Sequence, residues 1–114
     1  MLDALFPLAC AGCDGPGAPL CASCAGALRP AVAAATPPGI DEWLAPFAYA
    51  GPARELVARL KYRNVRAVVP WLAAAMVEEV QRVGAPFGVV TWAPTTPERR
   101  RRRGFDPAEL LARA

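Results

Sequence analysis

The chain has 114 residues, 54% of them hydrophobic and 20% charged, which excludes an intrinsically disordered tail and allows one globular domain at most. Its 13 prolines and nine glycines keep regular elements short, and a chain this small buries proportionally little surface, so something beyond packing must contribute to stability. The formal charge of +3 is mild, but five positive charges run together from Arg99 to Arg103, so the excess is local.

The first ten residues, Met1 to Cys10, include Asp3, have no basic start and are too short for the apolar core of an export signal. The longest apolar run, Ala67 to Val77, holds eleven residues against the roughly twenty that span a bilayer. These features predict a cytoplasmic protein with no membrane partner, whose thiols stay reduced. In that setting the tandem pairs Cys10-Ala11-Gly12-Cys13 and Cys21-Ala22-Ser23-Cys24, seven residues apart, read as metal ligands. Two sulfurs three positions apart can reach a shared ion about 2.3 Å away from one side of a tight turn, which the small intervening residues permit. Four thiolates leave no open coordination position, so the metal is expected to be structural, and zinc is the first choice. The alternative readings are two disulfides in an exported protein and an iron–sulfur cluster. A redox role is disfavoured because neither pair follows a strand and opens a helix.

Residues 1–28 therefore read as a four-cysteine module of zinc-ribbon type and 29–41, rich in Ala and Pro, as a linker. From Glu42 to Ala50, Trp43, Phe47 and Tyr49 partly alternate and predict an edge strand, since Pro46 cannot donate to a central ladder. Gly51-Pro52 then starts a helix to about Lys61. Its residues Ala53, Leu56, Val57 and Leu60 follow helical spacing, leaving Arg54, Glu55, Arg59 and Lys61 largely on the wet side. A break at Asn64 to Arg66 precedes a second amphipathic helix, with Pro70 in its first turn and Gly84 as its stop. Phe87 to Trp92 is apolar and β-branched and predicts a buried strand, which favours an α/β arrangement with ligands at the strand's carboxyl end.

There the chain continues as Ala93 to Arg103 and Gly104-Phe105-Asp106, expected as a basic loop, with Asp106 capping a final helix and Pro107 at its first position. Arginine forks match phosphate oxygens in pairs, and a helix N-terminus adds free N–H groups. Taken alone, the run fits a solvated or nucleic-acid-binding patch better than a shaped phosphate site, but a Gly and an aromatic directly after it suggest a loop held in one shape.

Assembled in order, these features resemble the ComF/GntX family of phosphoribosyltransferase-like proteins. The paired cysteine knuckles resemble its zinc ribbon. Phe47 to Pro52 and Leu60-Lys61-Tyr62-Arg63 resemble its Y-x-G-P and L-K-Y-R elements, and Arg99 to Asp106 resembles its R-x-x-R-G-F-N-Q stretch. This chain has Asp106-Pro107 in place of Asn-Gln, and Thr95-Thr96 where histidine often stands. The resemblance implies an N-terminal zinc ribbon followed by the first part of a type I phosphoribosyltransferase-like α/β fold over 42–114. It implies Arg100, Arg103, Gly104 and Lys61 as phosphate-binding candidates. In a full-length parent it further implies phosphoribosyl pyrophosphate (PRPP) or another phosphorylated ligand, bound with Mg²⁺, and a nucleotide-metabolism or DNA-uptake context with a competence-machinery partner. The family's acidic D-D-x-x-T-T-G loop does not occur before Ala114, so the expectation is a truncated, inactive front part with no assignable catalytic residue. The competing class is a small zinc-ribbon module that binds single-stranded DNA through the arginine run and stacks bases on Trp43, Phe47, Tyr49 or Trp92.

Overall fold

The computed structural model describes residues 9–17 and 19–114; the stretch weighed above as an export signal lies, as far as Leu8, outside the described residues. The helices are α1 (Ala22–Ala27), α2 (Pro52–Arg63), α3 (Val69–Val83), α4 (Pro97–Arg103) and α5 (Pro107–Arg113), with a 3-10 turn at Arg66–Val68 leading into α3. None is long and apolar enough to cross a membrane.

Helix α2 starts on Pro52 and ends at Asn64, whose φ of 53° is the left-handed stop that asparagine tolerates. Helix α3 carries Pro70 in its first turn, where a missing N–H breaks no bond, and stops at Gly84 with φ 72°. Helix α2 runs on to Arg63, past the expected end near Lys61, and α3 stops at Gly84 as expected. Leu56 of α2 and Leu72 of α3 cluster with Val68 of the 3-10 turn, and Ala11 from the cysteine loop completes that cluster. A second cluster joins Leu60 and Val69 to Phe105, and Leu111 of α5 packs against both. The cysteine loop is thus built into the helical core.

The two expected strands do not form. Among the described residues the only β-type pairing is an isolated bridge between Ala9 and Pro16. Residues 42–50 are irregular, with bends at 46–47 and 49–50, and are anchored where the Phe47 ring stacks on Trp71 at 5.6 Å. Phe87, Val89 and Val90 lie in irregular chain around a bend at Gly88 and are 65%, 81% and 59% exposed. Strand propensity expresses itself only against a neighbouring strand that takes up the backbone N–H and C=O groups, and no described segment supplies one. The arginine run departs the other way, forming a helix where a loop was expected. Thr96 caps it by accepting from Arg99 N, Pro97 and Glu98 suit its first turn, arginine is a good helix former, and Gly104 ends it at φ 80°.

Directly after that stop, Phe105 is buried and Asp106 ties the segment shut. Its Oδ2 accepts from Thr95 N at 2.9 Å, and its Oδ1 accepts from Ala108 N at 3.0 Å and Glu109 N at 3.4 Å. The Thr95 N–H lowers the Asp106 pKa against the opposing effect of burial, and the Glu109 and Ala108 N–H groups and the Arg100 charge lower it further. A carboxyl whose folded pKa lies below its unfolded one stabilises the fold fully above the ordinary carboxylate range and loses that contribution as pH falls through the folded value. Asp106→Ala should therefore cost about 0.5–2 kcal/mol at neutral pH, with the gap to the parent closing in acid. Thermal melts across the acidic range check this, and a gap that stays constant would contradict it.

Candidate metal centre and basic face

The Sγ atoms of Cys10, Cys13, Cys21 and Cys24 all lie within 4.8 Å of one another. The Cys13 and Cys21 sulfurs are 3.8 Å apart, which matches the edge of about 3.8 Å in a tetrahedron with 2.3 Å metal–sulfur bonds. The first knuckle is a tight turn closed by Cys10 N to Gly15 O at 2.7 Å and Asp14 N to Cys10 O at 2.9 Å. The second knuckle opens α1, with Cys21 at the N-cap and its sulfur accepting from Cys24 N. This pair opens a helix but follows no strand among the described residues, so the strand-then-helix setting of a redox pair is not met. Backbone N–H groups converge on the sulfurs: Gly12 and Cys21 donate to Cys10 at 3.3 and 3.2 Å, and Gly15 to Cys13 at 3.4 Å. Four free thiols in this arrangement suit a thiophilic metal such as zinc. Filled by four sulfurs, such a centre is closed and supplies a structural cross-link with no position for substrate.

The thiols hold their protons unequally. Burial pushes the Cys10 pKa up, but the backbone N–H groups of Cys21, Gly12 and Cys13 together with the Cys21 thiol outweigh it and bring it down to about 6. Cys24 is pushed up to about 12, first by its bond to the Cys21 thiol, then by burial, the other two thiols and the negative charge on Cys10. A metal bound by all four sulfurs must displace the Cys24 proton, so loading releases acid.

Of the sequence-predicted phosphate residues, Arg103 alone within Arg99 to Arg103 is partly buried, and its guanidinium lies over the Tyr62 ring at 5.2 Å. Lys61 precedes Tyr62 on the last turn of α2, about a quarter-turn round the helix from the ring that Arg103 covers. Arg100 turns toward α5 and pairs with Glu109 at 3.4 Å. The Gly104 N–H donates to Arg100 O at 2.8 Å, so its contribution is conformational. The free N–H groups expected at the start of the last helix are taken by Asp106.

Sequence reasoning missed Arg66, which covers the Phe105 ring at 4.4 Å, and misplaced Arg59. The Arg59 side chain is only 11% exposed; it contacts Asp14 of the first knuckle at 2.7 Å and Glu55 at 2.8 Å. Its helical position alone reads as solvated, and nothing in the local sequence announces Asp14 as a partner. Compared with models of known families, with curated proteins and with solved structures, the chain gives no match, so residues and geometry carry the functional reading.

Gly12 has a requirement the C-x-x-C pattern does not state. A Cβ there would lie 2.9 Å from Cys24 Sγ and 3.2 Å from Cys24 Cβ, whereas one at Gly26 would meet nothing within 4 Å. Gly12→Ala should weaken metal binding by about tenfold, as displaced ligand shells do, while Gly26→Ala leaves it unchanged. Competition against a colorimetric chelator measures both, and equal affinities would show that the pocket yields.

Proposed function

We propose that the chain is the zinc-stapled N-terminal part of a cytoplasmic, phosphoribosyltransferase-like protein of the ComF/GntX type. In the whole protein, Arg103, Arg100 and Lys61 would face the diphosphate of PRPP, held there with Mg²⁺. The observation that carries this reading is the shaped closure after the arginines: Gly104 at φ 80°, Phe105 buried against Leu60 and Val69, and Asp106 clamping Thr95 N. A solvated basic tail needs no such closure, whereas a site that meets developing negative charge needs its donors fixed beforehand. None of the 114 residues supplies an acidic D-D-x-x-T-T-G stretch, so this chain by itself is expected neither to consume PRPP nor to bind it tightly.

One observation favours the second reading, a module that binds single-stranded nucleic acid. Tyr62 is 75% exposed, stands beneath Arg103 and is flanked by Lys61 and Arg63, which is a stacking ring among phosphate partners.

Metal analysis of the purified chain should return one zinc per molecule, and bound metal should be lost with Cys10→Ser or Cys24→Ser. Two intact disulfides and no metal would overturn the centre and the cytoplasmic assignment together. In a chain extended to full family length, Arg103→Ala should sharply reduce Mg²⁺-dependent PRPP binding in calorimetry while Arg101→Ala changes it little. If each of the five arginines instead contributes equally to single-stranded DNA binding, with a strong salt dependence that drops by about one unit of slope per residue, the second reading holds.

A further inference from the structure

We propose that Arg59 is the counter-charge of the cysteine centre: a guanidinium held beside the first knuckle that offsets the negative charge four thiolates retain around a divalent ion. The inference rests on the metal reading of that centre and goes beyond it by assigning a residue that is no ligand.

Four thiolates around a divalent metal keep a net charge of about −2. Here part of that charge is held away from water, at Cys10, while Cys13 is exposed and Cys21 and Cys24 are half-buried. Cys10 is fully buried, and Ala11 beside it belongs to the cluster of Leu56, Val68 and Leu72. Charge buried in apolar surroundings is costly unless an opposite charge stands near it. Arg59 lies three residues beyond Leu56, so the same face of α2 that packs on the knuckle carries it there. Its Nη1 is buried and approaches Asp14 Oδ1 at 2.7 Å without hydrogen-bond geometry, so that nitrogen has no hydrogen-bond partner. The charge of Cys10 is among the influences that raise the Arg59 pKa, after the Glu55 bond and Asp14.

Two carboxylates already touch this arginine, which invites the simpler account that it is a latch between α2 and the loop. Their exposure weighs against that account as sufficient. Asp14 and Glu55 are 57% and 49% exposed and are screened by water, whereas the Arg59 side chain they orient is 11% exposed and its charge is screened less on the side of buried Cys10. Arg63, the second arginine on Asp14, is 59% exposed and too well screened to substitute.

The two accounts part at Asp14. If charge matters, Asp14→Asn removes an anion beside the thiolates and should leave metal retention equal or tighter; Asn also keeps the backbone, which stands at φ 64°. If Arg59 is only a latch, the same change opens the loop and retention falls. The experiment loads the full chain with zinc and measures its loss to a competing chelator, with helix content followed by circular dichroism. Arg59→Met should weaken retention by about tenfold with helix content preserved, Arg59→Lys should recover most of it, and Asp14→Asn should match or exceed the parent. Retention unchanged in Arg59→Met, or as poor in Arg59→Lys or Asp14→Asn as in Arg59→Met, would overturn the proposal. Should Arg59→Met lose its helices, Asp14→Asn decides alone, with weakened retention counting against the proposal. A parent chain that binds no metal would sink the metal reading itself, an outcome distinct from all of these.

Discussion

The burial of Cys10 in the apolar core is the constraint on which the rest of the structure depends. Its neighbour Ala11 packs with Leu56 of α2, Val68 of the 3-10 turn and Leu72 of α3, so the knuckle stands where a larger protein would place more hydrophobic side chains. A cross-link among the four cysteines would fix the loop 10–24, whose Ala11 packs on the two longest helices. This is how a chain with few apolar layers gains a unique core. The same geometry sets the electrostatics. The N–H groups that converge on buried Cys10, the Cys24 pKa raised first by the Cys21 thiol and the half-buried Arg59 all follow from gathering four thiols around one buried knuckle residue.

Away from the centre, the arginine turn is organised by its ends. Thr96 and Gly104 delimit the helix, Phe105 plugs into the cluster with Leu60 and Val69, and Asp106 holds Thr95 and the start of α5 together. Its five arginines are therefore inequivalent: one lies over Tyr62, one pairs with Glu109, and Arg99, Arg101 and Arg102 are exposed. That inequivalence is what a shaped anion site and an undifferentiated basic patch would not share. The contact of Arg103 with Tyr62 is where the two functional readings compete for the same residues.

What could be read from the sequence followed from local chemistry. The cysteine spacing foretold a cluster because two C-x-x-C turns have few other uses for four reduced thiols. The bounds of α2 and α3 were legible because Gly51-Pro52, Asn64, Pro70 and Gly84 each act on their own backbone. The Asp106 cap and Pro107 were legible for the same reason. The expected strands at 42–50 and 87–92 failed because a strand is a relation between two segments, and its pattern is silent about whether a partner lies nearby. The arginine run reads as a loop because its charge masks its caps, though Thr96-Pro97-Glu98 and Gly104 stand in plain view. Arg59 was illegible: helical periodicity places it on the wet side, and only the folded loop shows that Asp14 and buried sulfur stand there.

The claim that the cysteine centre and the helical core form one cooperative unit is tested most directly by hydrogen exchange during metal removal. Amide protection at Leu56, Leu60 and Leu72 would be followed as a chelator strips the zinc-loaded chain. The account predicts that protection in α2 and α3 is lost together with the metal and returns when zinc is restored. Protection that persists in both helices after the metal has gone would contradict it, and would leave the knuckle as an ornament on a core that stands without it.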